Sequence, residues 1–145
     1  WSTPSSARRI AQAAAGPSAS VVTTRSNNGP YTIEGALDAA LATAGMLEVV
    51  AAYKDSFDAV VVACFGDPGV EALRMLVRVP VIGIGAASFM HAACLSQHFA
   101  IVTPVSSTPP CLVDLAPPFS ICSKMSVSMS PRNTEMIAGG ASFAS

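Results

Sequence analysis

The sequence predicts an α/β domain, a parallel sheet with flanking helices, and three observations carry that prediction. Val60-Val61-Val62 is a continuous β-branched run of the kind buried on both faces of a parallel sheet. Asp67-Pro68-Gly69 follows closely and reads as a helix start, an N-cap residue with proline at the first helical position. Strand-like and helix-like stretches then alternate as far as Thr103, the order that parallel strands joined by crossover helices require.

Taken in order, Ser2-Thr3-Pro4 opens a helix, and Ala7 to Ala15 continues it until Gly16-Pro17 stops it. Ser20 to Thr24 reads as a strand. Asn27-Asn28-Gly29-Pro30 is a loop, after which Ile33 to Ala44 and Met46 to Tyr53 are helical with a break at Gly45. A strand from Phe57 to Cys64 leads into a helix over 68–77, followed by a strand from Val79 to Ile84. A helix near Ala86 to Leu95 and a strand from Phe99 to Thr103 complete the alternation. Thr108-Pro109 begins a short helix that Pro117-Pro118 ends, near Ala116. From Ser120 the chain is rich in Ser, Met and Gly without a period, a composition compatible with a disordered tail.

Composition narrows the function classes. The chain has 145 residues, one domain's worth; only 12% are charged, about half the usual share, and 51% are apolar. Much of it is therefore expected inside a core or an interface, and either a homo-oligomer or a missing remainder of the protein accounts for that. A net charge of −1 with no basic cluster beyond Arg8-Arg9 argues against nucleic-acid and anionic-membrane partners. No Asp, Glu, Lys or Arg occurs between Arg78 and Asp114, a stretch long enough to span a bilayer. Pro80, Gly83, Gly85, His91, Gln97 and His98 interrupt it, so no membrane span is expected. The cysteines, Cys64, Cys94, Cys111 and Cys122, show neither Cys-x-x-Cys spacing nor a Cys/His metal pattern. They read as reduced thiols of a cytoplasmic protein, with no metal. No signal peptide is visible, and a natural beginning is expected ahead of Trp1.

Cys64 is the candidate for chemistry. It stands at the carboxyl end of a strand and just ahead of a helix, where open α/β sheets bind ligands and where unpaired backbone N–H groups favour negative charge.

Several motifs, in order and spacing, carry a family resemblance. They are Gly29-Pro30-Tyr31-Thr32-Ile33-Glu34-Gly35, Ala44-Gly45-Met46-Leu47-Glu48, Ala63-Cys64-Phe65-Gly66-Asp67-Pro68-Gly69, Val81-Ile82-Gly83-Ile84-Gly85 and Met90-His91-Ala92-Ala93. Over roughly residues 2–116 the chain resembles the hydantoin racemases of the aspartate/glutamate racemase superfamily. The resemblance implies a cofactor-independent racemase of two similar α/β halves, with the active site between them and one catalytic cysteine from each.

By that resemblance residues 1–97 form the first half without its first strand, 98–119 begin the second half, and 120–145 form an unpatterned tail. Cys64 becomes one of two proton-transfer thiols acting on a 5-substituted hydantoin or related amino-acid derivative. Phe65, Gly66, Asp67, Thr103 and Ile33 become substrate contacts, with Thr103 at the end of the next parallel strand. The backbone N–H groups around Phe65 and Gly66 would meet the oxyanion that develops as the proton leaves. The family's second cysteine lies downstream in a Gly-Cys context that this sequence does not contain. Neither Cys111 nor Cys122 has the strand-to-turn setting of Cys64, and Cys94 also reads as incidental.

Other readings compete with this one. The chain reads alternatively as a truncated, non-catalytic remnant of such an enzyme, or as a single-cysteine decarboxylase of the arylmalonate type, which needs no second base. A cysteine hydrolase is disfavoured, because neither His91 nor His98 stands in a supporting motif. Gly83-Ile84-Gly85-Ala86-Ala87-Ser88 approaches a dinucleotide fingerprint, but Ser88 occupies the third glycine position and no acid follows the next strand. No nucleotide cofactor is expected. His91 reads as a packed helix residue, and Glu34 as an ordinary carboxylate in the first turn of a helix.

Overall fold

The valine run forms the strand that the sequence predicts. The computed structural model describes residues 4–96, 98–103 and 124–129, and within it Val60–Val62 is β1 and Val81–Gly83 is β2. The two strands pair in parallel, Val60 opposite Val81, Val61 opposite Ile82 and Val62 opposite Gly83. Helices α1 (Pro4–Ala15) and α2 (Ala36–Ala52) precede β1, α3 (Val70–Leu76) connects it to β2, and α4 (Ile84–Leu95) follows β2 without a linker.

Alternation along β1 and β2 divides their side chains between two faces. Val62 and Val81 are buried together with Val70 and Leu73 of α3, and Met46, Leu47 and Val50 of α2 pack against them. Full burial of each such aliphatic side chain contributes about 1.5–3 kcal/mol. On the other face the register partners Val61 and Ile82 stay 59% and 44% exposed. Arg74 of α3 ties the connection closed, with Nε and Nη2 donating to the Val81 carbonyl at 3.3 and 3.2 Å.

A second parallel pair follows. β3 (His98–Thr103) and β4 (Lys124–Met129) run in register from His98 opposite Lys124 to Thr103 opposite Met129. Phe89 of α4, 2% exposed, stacks on Phe99 of β3 with ring centroids 6.2 Å apart. That contact joins the helix after β2 to the second sheet.

Four expectations need correction. Residues 20–24 belong to neither sheet; the Gln12 side chain holds this region instead, donating to Gly16 and Ala19 carbonyls and accepting from the Val21 N–H. Gly45 does not break a helix, because α2 runs through it. Its bare Cα lets the 26–28 loop approach, and a Cβ there would strike the Asn28 carbonyl and the Ser26 hydroxyl. α2 also begins at Ala36, later than Ile33, so that Glu34 precedes the helix and Asp38 is the acid in its first turn. β3 pairs with β4 and lies outside the β1–β2 sheet. The stretch from Ser120 showed no period, yet residues 124–129 form β4. The helix expected over 108–116 lies outside the described residues. Among those residues, no helix is long and apolar enough to cross a membrane.

Candidate active site

β1 ends at Val62 and the chain turns at once. The Asp67 N–H donates to the Cys64 carbonyl at 3.0 Å, closing a turn over residues 64–67. Two residues beyond Val62, Cys64 is half-buried and packs against the core cluster. Phe65 is 39% exposed, its ring edge-on to Phe89 at 5.6 Å between centroids. The N–H groups of Phe65 and Gly66 have no acceptor among the described residues.

Asp67 departs from the role expected of it. The sequence predicts an N-cap for the helix over 68–77, but the residue at that position is Gly69, with φ of +72°. Asp67 itself has φ of +47° and is 7% exposed. Its carboxylate crosses to α4, Oδ1 accepting from the Gly85 N–H at 2.8 Å and Oδ2 from the Ala86 N–H at 2.6 Å. Helix α4 has no side-chain cap of its own at Gly83, so this carboxylate satisfies donors that a helix N-terminus leaves open.

The Gly-x-Gly of residues 83–85 makes that approach possible. A Cβ on Gly83 would strike the Asp67 carboxyl group, and one on Gly85 would strike the Phe65 carbonyl. Sequence reading took these glycines as interruptions of an apolar stretch, as part of a family motif and as an incomplete nucleotide fingerprint, and missed this role. The available signal was a Gly-x-Gly at a strand end with no Ser, Thr, Asp or Asn to cap the helix behind it.

Cys64, Phe65, Gly66 and Asp67 therefore share one turn. Ile33 is half-buried in the loop ahead of α2, and Thr103 is the last residue of β3. Two open depressions, about 410 and 390 Å³, lie beside Gly45 and beside Gly69; Cys64 lines neither. His91 is exposed on α4, as is Cys94. No group of three or more His, Cys, Asp or Glu side chains able to hold a metal occurs among the described residues.

Comparison with known proteins places this turn in a family. Residues 2–129 match the family model of Asp/Glu/hydantoin racemases. The hydantoin racemase of Rhizobium meliloti is 39% identical over 87 residues, covering 59% of this chain and 36% of that protein. The hydantoin racemase of Paenarthrobacter aurescens is 40% identical over 79 residues, 53% of this chain and 34% of that protein. Among solved structures, allantoin racemase from Pseudomonas fluorescens superposes with a TM-score of 0.78 at 30% identity, over 88% of this chain and 56% of its own. The chain thus spans little more than a third of the length of these curated relatives. With its matched residues, parallel α/β fold and structural neighbours in agreement, the chain belongs to the Asp/Glu/hydantoin racemase family.

Proposed function

We propose that this chain carries one side of a cofactor-independent racemase site for 5-substituted hydantoins or related amino-acid derivatives, with Cys64 as one of its two bases. The observation that carries the reading is the turn itself. It sets a thiol at the carboxyl end of a parallel strand beside the N–H groups of Phe65 and Gly66, in a family-matched segment.

The chemistry follows from what such a carbon needs. The Cys64 thiolate takes the proton from C5, and the electron pair of the broken C–H bond moves into the adjacent ring carbonyl. Phe65 and Gly66 N–H groups donate to the oxygen on which the charge collects. A thiol on the opposite face then returns a proton to carbon, which inverts the centre. The ring carbonyl acts as the electron sink, so the scheme requires neither metal nor cofactor. Ile33 and Thr103 are assigned to contacts with the ring.

Polarimetry tests the proposal. A single-enantiomer 5-substituted hydantoin should lose its rotation in the presence of a protein that carries this segment and the second thiol, without added metal or cofactor. Replacing Cys64 by Ser should reduce the rate by about 10²-fold or more, the usual contribution of a positioned acid/base group. An unchanged rate in Cys64→Ser would overturn the assignment. Release of carbon dioxide from an arylmalonate would instead favour the single-thiol decarboxylase.

A further inference from the structure

The turn that carries Cys64 is fastened to α4 in three ways. The Asp67 carboxylate accepts from the N–H groups of Gly85 and Ala86. The Phe65 carbonyl lies against the bare Cα of Gly85, and the Phe65 ring meets the buried Phe89 edge-on. Asp67 holds a positive φ of +47°, a conformation uncommon outside glycine but one that Asp tolerates better than most residues, and the contacts around it are compatible with that shape. A bidentate carboxylate on a helix N-terminus is a charge-assisted arrangement with fixed geometry.

We infer that Asp67 is the positioning residue for Cys64: its carboxylate, seated in the Gly83–Gly85 notch, fixes the turn that presents the thiol. Asp67 thus acts through the turn, with its backbone N–H and both carboxylate oxygens bonded within the protein. The consequence for catalysis rests on the proposed role of Cys64, but the positioning itself is measurable without substrate.

The test is residue-resolved alkylation of the whole chain with iodoacetamide, read by mass spectrometry as the rate at Cys64 relative to that at the exposed Cys94. Asp67→Ala removes the carboxylate, whereas Gly85→Ala keeps it and blocks its seat. Both should raise the Cys64 to Cys94 ratio by about fivefold or more, the equivalent of losing one net hydrogen bond. Asp67→Asn retains one acceptor and should give an intermediate ratio. Gly45→Ala is the matched control, a glycine of α2 in a comparably tight setting against the 26–28 loop, and should leave the ratio unchanged.

A ratio in Gly85→Ala equal to that of Gly45→Ala would overturn the inference, and a rise confined to the Asp67 variants would show an effect of charge in place of positioning. Should Asp67→Ala lose its cooperative unfolding transition, Asp67→Asn and Gly85→Ala decide the question. A shifted ratio together with no proton exchange on a hydantoin by a protein that also carries the second thiol would leave the positioning intact and remove the racemase reading. The converse would do the reverse.

Discussion

Asp67 Oδ1 accepts a hydrogen bond from the Gly85 N–H at 2.8 Å, so a carboxylate in the turn after β1 caps the helix that follows β2. The bond joins two successive strand-to-helix junctions of the parallel sheet, and the first of them holds Cys64. Local helix starts thereby become a tertiary contact.

Removing that carboxylate should be costly. Asp67→Ala leaves two N–H donors at the start of α4 without their acceptor, one of them at a buried glycine. The expected loss is about 1–3 kcal/mol of unfolding free energy, measured by urea denaturation.

Gly69 and Gly16 offer a controlled comparison. Both have φ near +73°, +72° and +74° respectively, but a Cβ on Gly69 would press on Thr43 and Met46, while Gly16 faces open space. Alanine at Gly16 should cost about 1 kcal/mol for the left-handed backbone alone. At Gly69 thermal unfolding should show a clearly larger loss, because α2 must also move away from α3.

Leu73 tests the core. It is 1% exposed and packs with Val62, Val70 and Val81. Leu73→Ala should destabilise the protein by about 2–5 kcal/mol in denaturant titration, the range for truncating a buried leucine.

Legibility in the sequence followed how local each cause was. The Val60–Val62 strand, the helix after it and β3 were readable because a β-branched run and the Pro-Gly punctuation act on neighbouring residues. Residues 20–24 have strand composition, but a strand exists only where a ladder partner lies beside it, and composition does not reveal that. Lys124–Met129 is the opposite case, since Ser and Met give little strand preference and the pairing with His98–Thr103 supplies it. Gly45 has a helix-breaker's propensity but serves close loop packing, a long-range cause. The position of Cys64 was legible for the same local reasons as β1. The crossing of Asp67 to α4 was not, because its own sequence neighbours also fit an ordinary N-cap.

Proton exchange at C5 of each enantiomer of a 5-substituted hydantoin in D2O, followed by ¹H NMR with a protein that carries this segment and the second thiol and with its Cys64→Ser variant, examines the thiol most directly. Loss of the C5–H signal should be faster with the wild-type protein than in buffer, and Cys64→Ser should return it to near the buffer rate for the enantiomer whose C5–H faces Cys64. Equal exchange of both enantiomers by the wild-type protein and its Cys64→Ser variant, or none above buffer by either, would contradict a proton-transfer role for Cys64.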